Sequence, residues 1–310
     1  MAATQAHSSP ACGDAIPEHH GKVLFSFNPA IAIENVALTS SGALLLTTLY
    51  DGGRLYALDP TEAKPAAKLV ATMPGCDGLT GIQEIAPDVF AVTGGPLGPT
   101  GFEGLKSFNV SISSSGHQPV TVAETASVPG SAMLNGMAKL ANDPTIILGA
   151  DSFRGEIIRM NTITGETAVA IQDDLFKPTA SLSLGINGLK VLRDYLYFTN
   201  SAQGILARLR IHSDGTKASE VEVLATLPGT PSRSNFFDDF AIRETHTDRV
   251  EVYVATQANS VYRVYDGQLS LFLGGGNSTL LKVPTSAAFS HDGSKLFVVT
   301  GGGQVVEVAL

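Results

Sequence analysis

A set of four short β-strands recurs along this chain at intervals of about fifty residues, and this repeat constrains the fold more than any other feature. Within each set, apolar and polar residues alternate, and Gly, Asp, Asn or Pro separates the strands. The first set predicts strands at Ile33 to Thr39, Ala43 to Thr48, Arg54 to Leu58 and Ala67 to Ala71. Repeats of this length with four strands each are typical of the blades of a β-propeller.

The two ends of the chain complete the repeat. The sixth set has only three predicted strands, at Ser286 to Phe289, Lys295 to Val299 and Gln304 to Val308, while a spare strand at Lys22 to Phe27 precedes the first set. If the spare strand pairs with the last blade, the ring closes and leaves no incomplete blade at its end. A tandem array of separate sandwiches would not explain this match. We therefore predict an all-β chain with a flexible segment at 1–21 and a single six-bladed β-propeller at 22–310, whose blades are four-stranded and antiparallel and whose N-terminal strand closes the last blade.

One polar residue stands just before the apolar stretch of the innermost strand in every set. These residues, at intervals of 46, 55, 52, 51 and 47, are Glu34, Thr80, Asn135, Asn187, Asp238 and Thr285. The innermost strands of a propeller run alongside its central channel, so their N-terminal ends converge at one mouth. Turn or bulge chemistry is the alternative explanation for the Asn-Gly pairs, as are solvated strand starts for the acids. We predict a polar ring that forms a small-molecule site.

Loops on the same face mix aromatic and polar residues, as expected of an apolar pocket with a few orienting groups. Turn chemistry is again the alternative explanation. We predict a small hydrophobic substrate that is contacted by two ring threonines and seven neighbours: Thr80, Thr285, Tyr50, Asp151, Phe153, Asn200, Phe236, Phe237 and Asp239.

Charge and histidine placement exclude several classes of function. A net charge of −9 argues against binding to a nucleic-acid backbone, and no apolar run approaches the roughly 20 residues of a membrane span. Four histidines fall in predicted turns on the opposite face, and three more lie in the N-terminal segment: His117, His212, His246 and His291, and His7, His19 and His20. None can act as a base for a Ser or Cys nucleophile at the mouth.

The cysteines and two sequons bear on location. Cys12 and Cys76 form either one disulfide or two unrelated thiols, and Asn109-Val110-Ser111 and Asn277-Ser278-Thr279 fit the N-glycosylation pattern. Residues 1–21 lack the apolar core of a signal peptide. We expect a secreted or secretory-pathway protein whose leader is absent from this sequence, with a cytoplasmic location as the alternative. The oligomeric state is not indicated.

Four segments around the ring read Ile33-Glu34-Asn35, Leu134-Asn135-Gly136-Met137, Ile186-Asn187-Gly188-Leu189 and Phe237-Asp238-Asp239-Phe240. In these the chain resembles the regucalcin/gluconolactonase-like propellers over about residues 22 to 310. In that family a Glu opens the first blade, an Asn-Gly-Leu a middle blade and an Asp-Gly the next, and a further Asn contacts substrate. The family's Glu-Gly-Pro appears here as Glu34-Asn35-Val36, and its Asp-Gly as Asp238-Asp239.

The resemblance implies that Glu34, Asn187 and Asp238 can hold a divalent cation and that Asn135 contacts substrate. Three oxygen ligands suit Ca²⁺ or Mg²⁺ completed by waters. Because the chain departs from the family pattern at two ligand segments, we treat the ion as optional and predict that no cofactor is required.

Other phrases are similar to a fungal branch of this superfamily: Glu34-Asn35-Val36-Ala37, Leu55-Tyr56-Ala57-Leu58-Asp59-Pro60, Ile85-Ala86-Pro87-Asp88-Val89-Phe90-Ala91-Val92 and Asp238-Asp239-Phe240-Ala241-Ile242. Branch members with a known role are hetero-Diels–Alderases of tropolone–sesquiterpene biosynthesis. They join a quinone methide to a macrocyclic olefin such as a humulene.

The leading hypothesis is therefore a pericyclase of secondary metabolism with Glu34, Asn135, Asn187 and Asp238 as catalytic residues. Glu34 or Asp238 would act as the acid, Asn135, Asn187 and Tyr50 would donate hydrogen bonds, and Phe153, Phe236 and Phe237 would form walls. A metal-dependent lactonase with Asp238 or Asp239 as base is the second hypothesis. A non-catalytic propeller that binds a protein partner at its rim is the third.

Overall fold

The computed structural model describes residues 20–112, 120–276 and 278–310. Within these ranges the regular structure is β-strand except for one 3₁₀ turn at Asp174–Phe176. The strands form six four-stranded antiparallel sheets and one two-stranded hairpin. The innermost strand of each sheet packs against that of the next, and the last packs against the first, so the sheets close into a ring. The predicted six-bladed propeller is confirmed.

The first three blades follow one another along the chain. Blade 1 consists of β2 (Ile33–Leu38), β3 (Leu44–Thr48), β4 (Arg54–Leu58) and β5 (Lys68–Thr72). Blade 2 consists of β6 (Gly78–Ala86), β7 (Val89–Gly95), β10 (Leu105–Ser111) and β11 (Thr121–Val128), with the hairpin β8 (Leu97–Gly98) and β9 (Gly101–Phe102) inserted. Blade 3 consists of β12 (Leu134–Lys139), β13 (Ile146–Asp151), β14 (Glu156–Asn161) and β15 (Thr167–Gln172).

The other three blades include the one that closes the ring. Blade 4 consists of β16 (Ile186–Leu192), β17 (Tyr195–Asn200), β18 (Ile205–Arg210) and β19 (Glu222–Thr226). Blade 5 consists of β20 (Phe237–Glu244), β21 (Val250–Thr256), β22 (Ser260–Tyr265) and β23 (Gln268–Gly274). Blade 6 consists of β24 (Pro284–Phe289), β25 (Lys295–Thr300), β26 (Gln304–Ala309) and β1 (Gly21–Ser26).

The N-terminal strand lies where the sequence predicts it. Strand β1 pairs antiparallel with β26, with Gly21 opposite Val308 and Ser26 opposite Gln304. Because β1 belongs to the same blade as the C-terminal strands, the two ends of the chain stabilise each other. Middle strands such as β3 are buried along their whole length because both faces of each blade pack against a neighbour, whereas outer strands such as β5 are half exposed.

A register shift interrupts the innermost strand of every blade at the polar ring position. The shifts fall between Ile33 and Asn35, Leu79 and Ile82, Leu134 and Met137, Ile186 and Leu189, Phe237 and Phe240, and Pro284 and Ser286. A bulge bends the strand and re-aims a side chain that regular pairing would keep in the ladder. The bulge explanation of the Asn-Gly pairs is therefore correct for the backbone, and the ring residues sit at these bulges.

In three blades a glycine follows the ring residue, because the inner strands approach one another there. A Cβ on Gly81, Gly136 or Gly188 would overlap atoms of the next inner strand, and for Gly136 these are the backbone nitrogen of Leu189 and the backbone oxygen of Asn187. Backbone atoms cannot move aside as a flexible side chain can. These glycines thus allow the narrow axis around which the ring is assembled.

We expect Gly136→Ala to lower the melting temperature by about 5 °C or more, because it forces β12 away from β16. Gly149→Ala on the adjacent strand β13 is the matched control, since its Cβ would meet only the tip of Met160 at 3.2 Å and other atoms farther away. Thermal melts of the two variants compare the sites directly. Equal melting temperatures would contradict the close approach of these strands at the axis.

Candidate functional site

A cavity of about 650 Å³ opens at the end of the axial channel where the innermost strands begin. Five of the six predicted ring residues line it: Glu34, Asn135, Asn187, Asp238 and Thr285. Each is at most 6% exposed, although the five positions span most of the chain. The structure therefore brings together residues from blades 1, 3, 4, 5 and 6 around one concave surface.

The walls of the cavity are largely apolar. Tyr50, Phe153 and Phe236, all predicted as substrate contacts, lie in these walls. Tyr50 stands at the rim with 69% of its surface exposed. The remaining apolar lining comes from the residue after β3, from the β8–β9 hairpin and from the segments that precede the innermost strands of blades 3, 4 and 6: Leu49, Leu97, Pro99, Phe102, Met133, Leu182, Leu184 and Val283.

Thr80, the sixth ring residue, does not line the cavity. Its hydroxyl lies 2.9 Å from the hydroxyl of Thr93, and its carbonyl oxygen accepts a hydrogen bond from Thr47 at 2.8 Å. Thr47 belongs to blade 1, so this contact joins blades 1 and 2. Thr285 has a similar role at the closure, where its hydroxyl donates to the Ile33 carbonyl at 2.7 Å, but it also faces the cavity.

Three other predicted substrate contacts also lie outside the cavity. The side chain of Asn200 donates to the carbonyls of Leu175 and Lys177 and so holds the loop around the 3₁₀ turn. Asp151 accepts a hydrogen bond from the backbone N–H of Arg154. Phe237 is fully buried in the apolar core between blades 4 and 5. Adjacent strand residues face opposite sides, and next to Phe237 the neighbours Phe236 and Asp238 are the residues that line the cavity.

Asp239 lies beneath the ring, where it helps to close the channel. Its carboxylate accepts hydrogen bonds from Asn35 at 2.8 Å and from Ser286 at 3.4 Å, and its two oxygens lie 2.8 and 2.9 Å from the Lys190 ammonium. The backbone N–H of Phe240 donates to it as well. Asp239 does not line the cavity, and the predicted roles of substrate contact and base are not supported for it.

The electrostatics of the ring favour protonated carboxyls. Burial raises the pKa of Glu34 well above its usual value, and repulsion from Asp238 and Asp239 adds to this effect. Burial also raises the pKa of Asp238 to about 7, with hydrogen bonds from Gln257 and Asn187 acting in the opposite direction. Two acids that share a buried site cannot both ionise readily. The cavity therefore contains carboxyls that keep their protons to higher pH than exposed carboxyls do.

A carboxyl with a raised folded pKa binds its proton more tightly in the folded state, so its stabilising effect disappears as pH rises through that pKa. For Asp238 the loss extends from about pH 4 to about pH 7. We expect Asp238→Asn to melt higher than the wild type at pH 8, by about 3 °C, with a smaller gain at pH 5. Gln257 can still donate to the amide oxygen.

Asp292→Asn is the control of opposite sign, because three hydrogen-bond donors lower the pKa of this exposed carboxyl to about 2. Its removal should give no gain at pH 8. A melting difference for Asp238→Asn that shrinks as pH rises would contradict the raised pKa.

Two residues that line the cavity, Gln257 and Arg233, and one that holds a lining residue, Ser201, were not predicted as site residues. Gln257 donates to Asp238 at 3.0 Å, Ser201 contacts Asn187 at 2.9 Å, and Arg233 lines the rim. Gln257 and Ser201 lie in loops that the sequence places on this face, and their position directly after a second strand is the signal that could have found them. The β8–β9 hairpin carries no such signal, because its Gly and Pro residues read as an ordinary turn.

The described histidines lie away from the cavity. His212 and His246 follow strand ends on the opposite face, and His291 forms a 2.8 Å hydrogen bond with the carbonyl of Thr39 there. His20 directly precedes β1. The other predicted positions, His7, His19 and His117, are outside the described residues.

Cys76 has a free, buried thiol, and burial raises its pKa to about 11. No disulfide is therefore present at Cys76, and Cys12 is outside the described ranges. Asn109 lies within β10 and donates to the Thr162 carbonyl at 3.3 Å, while Asn277 of the second sequon is not described. Across the described ranges, no helix has the length and apolar character to cross a membrane. The secretory location stays a prediction.

The residues that would hold a divalent cation are compatible with one. Glu34, Asp238 and Asn187 all line the cavity and supply carboxylate and amide oxygens. The side-chain oxygen of Asn187 is buried without a hydrogen-bond partner among the described residues. Apart from this mixed set, the described part of the chain has no cluster of three His, Cys, Asp or Glu residues suited to a metal.

Comparisons with known proteins agree with this architecture. No protein-family model matches the sequence. The chain is 24% identical to a Sarocladium schorii protein described as "Putative hetero-Diels-Alderase asR5", over 96% of this chain and 80% of that protein.

Two solved structures show the same fold at low identity. A Xanthomonas campestris gluconolactonase superposes with a TM-score of 0.62 at 14% identity, over 94% of this chain and 89% of that one. An auxiliary nutrient binding protein from Bacteroides ovatus gives a TM-score of 0.69 at 12% identity, over 94% and 76%. The chain is thus a six-bladed β-propeller with gluconolactonase among its structural neighbours, and over nearly its full length its sequence is similar to that of a protein described as a hetero-Diels-Alderase.

Proposed function

We propose that this protein is a pericyclase that catalyses a hetero-Diels–Alder cycloaddition in its axial cavity. The observation that carries the proposal is the combination of largely apolar walls with a pair of buried carboxyls, of which Glu34 has a pKa raised well above its usual value by burial. The substrates we propose are a tropolone-type quinone methide and a humulene-type olefin. The similarity to the Sarocladium protein supports this choice of reaction.

The size and lining of the cavity suit two apolar partners. A volume of about 650 Å³ lies in the range of sites that bury drug-sized ligands. Phe153 and Phe236 offer flat apolar surfaces against which an unsaturated ring can lie. Holding two reactants in a reactive orientation can contribute roughly 7–11 kcal/mol towards the barrier without any nucleophile or redox step. Positioning is therefore the main task of these walls.

The acid pair supplies the remaining chemistry. A protonated Glu34 can donate its proton to a hydroxyl of the precursor, which departs as water, while the resulting carboxylate takes the proton of the precursor's ring hydroxyl; this leaves the neutral quinone methide and restores the acid. The same group can afterwards donate a hydrogen bond to the heterodiene oxygen as negative charge develops on it. The cycloaddition forms one carbon–carbon and one carbon–oxygen bond and requires no net oxidation. Asn135, which also lines the cavity, is positioned to contact the substrate.

A metal-dependent lactonase is the second candidate, favoured by the unpartnered oxygen of Asn187 beside two carboxyls. A bound divalent ion would polarise an ester carbonyl. Glu34, Asn187 and Asp238 would hold the ion, and Asp238 would take a proton from water. The fold of the Xanthomonas gluconolactonase is compatible with this candidate.

One experiment separates the candidates. The purified protein is incubated with a tropolone quinone-methide precursor plus humulene, and in parallel with a panel of lactones, each with and without EDTA. We expect cycloadduct formation that EDTA does not change. Lactone hydrolysis that is lost with EDTA would establish the second candidate. The absence of both products would reject both enzymatic proposals.

A further inference from the structure

The side chain of Asn187 is held by a short chain of hydrogen bonds. Its amide nitrogen lies 2.9 Å from the hydroxyl oxygen of Ser201, and that hydroxyl lies 2.9 Å from the carbonyl oxygen of Phe237. All three groups are buried, and the chain joins blade 4 to blade 5. The order of donors and acceptors along it can be worked out from the chemistry of the groups alone.

A carbonyl oxygen only accepts hydrogen bonds, so the single proton of Ser201 is directed to Phe237. Ser201 can then only accept from Asn187, which fixes the amide with its NH₂ group towards Ser201. Asn187 also acts to lower the pKa of Asp238, which agrees with an N–H of the amide, and not its oxygen, being turned towards that carboxyl. The amide NH₂ group is thus held within the protein by its contact with Ser201.

The other amide atom of Asn187, Oδ1, is left as an acceptor. It is buried and has no hydrogen-bond partner among the described residues, in a side chain that lines the cavity. An unpaired buried acceptor costs free energy that a ligand donor would recover on binding. This differs from the sequence-based expectation, in which Asn187 donates a hydrogen bond to the substrate.

Blade 3 lacks this chain of hydrogen bonds, although it also has an Asn and a Ser at the corresponding positions. Asn135 and Ser152 follow the same order as Asn187 and Ser201, but the hydroxyl of Ser152 is buried without a described partner. Asn135 makes no hydrogen bond to a described residue through its amide. The fixed direction is therefore a property of Asn187.

We propose that Ser201 is a positioning residue which locks Asn187 with Oδ1 as a hydrogen-bond acceptor, so that the cavity selects ligands carrying a hydroxyl group. This inference rests on the proposed function, because it takes the axial cavity as the substrate site. It adds the substrate class to that function: an apolar ring compound with a free O–H. An ether or ketone oxygen at the same place would face another acceptor and gain nothing.

Binding of naphthalene derivatives tests the proposal without any turnover. The probes are 2-naphthol, which donates a hydrogen bond, 2-methoxynaphthalene, which can only accept, and 2-ethylnaphthalene as the apolar match in shape to the ether. The chain contains no Trp, so the fluorescence of the probes can be followed without indole emission. Affinities are measured for the wild type, Ser201→Ala, Asn187→Leu and the matched control Ser152→Ala, all in EDTA.

For each protein we compare the ratio of its affinity for 2-naphthol to its affinity for 2-methoxynaphthalene. We expect this ratio to be about tenfold higher for the wild type than for Ser201→Ala or Asn187→Leu. In Ser201→Ala the released amide can turn its NH₂ group to the ether, so the ether should gain over 2-ethylnaphthalene. Ser152→Ala should behave as the wild type. Circular dichroism melts confirm that each variant is folded.

Equal affinities of the wild type for naphthol and ether, or a preference that Ser201→Ala retains in full, would overturn the proposal. So would a preference that appears only after Ca²⁺ or Mg²⁺ is added, because Oδ1 would then serve a cation. A hydroxyl preference in a protein that forms no cycloadduct would reject the proposed reaction while leaving this inference in place.

Discussion

A chain that begins at Asn28 is expected to lose the last blade, with a fall in melting temperature of more than about 10 °C or a loss of soluble protein. Strand β1 supplies the outer edge of blade 6 and covers β26 along five paired positions. Phe25 and Phe27 pack at 4.9 Å between ring centroids, and Phe27 contacts Tyr56 of blade 1 at 5.0 Å. Removal exposes both an apolar surface and an unpaired strand edge.

The reference for this deletion is a chain that begins at His20, so that the two proteins differ only by the segment containing β1. Phe25→Ser provides a milder version if the deleted chain cannot be purified, since it leaves the backbone pairing in place. Thermal melts and gel filtration report stability and association. Unchanged melting of the chain that lacks β1 would contradict closure of the ring by the N-terminal strand.

Most of the fold can be predicted from the sequence because blade strands alternate and are separated by turn residues. The closing strand is one example, since its predicted bounds differ from Gly21–Ser26 by one residue at each end. Strand β6 is different: the alternation in the sequence predicts a strand at Gly81 to Ile85, but the strand begins three residues earlier, at Gly78. The hairpin β8–β9 is absent from the prediction, because its glycines and prolines provide no apolar alternation.

The candidate site could be predicted as far as the ring, because the repeat aligns one position in every blade. What the sequence does not indicate is which of two neighbouring residues the bulge turns to the axis. Phe236 lines the cavity while Phe237 is in the core, and Asp238 lines it while Asp239 lies beneath. The bulge geometry depends on packing between blades, which a single sequence does not encode locally.

Replacement of Glu34 by Gln is expected to reduce turnover about 100-fold or more while leaving the fold intact. The amide has the shape of the acid but no acidic proton, and general acid catalysis contributes roughly 10²–10⁴-fold. Glu34 is buried in the cavity wall with a pKa raised well above its usual value, so it is the group best able to hold a proton at neutral pH. Rates of cycloadduct formation with saturating substrates measure the effect.

The pH dependence of turnover provides a second test of Glu34 as the acid. Wild-type turnover should be highest where Glu34 is protonated and should fall as pH rises through its elevated pKa, whereas Glu34→Gln should lack this limb. Asp151→Asn is the matched control: burial also raises the pKa of Asp151, but this carboxyl lies outside the cavity, and an amide oxygen can still accept from Arg154. The Asp151→Asn variant should leave both the rate and the pH profile unchanged.

Because ionisation of a buried acid destabilises the fold, Glu34→Gln should also melt no lower than the wild type at pH 8. If Glu34→Gln retains full activity and the same alkaline limb, the proton comes from elsewhere and the acid pair is not the catalytic centre.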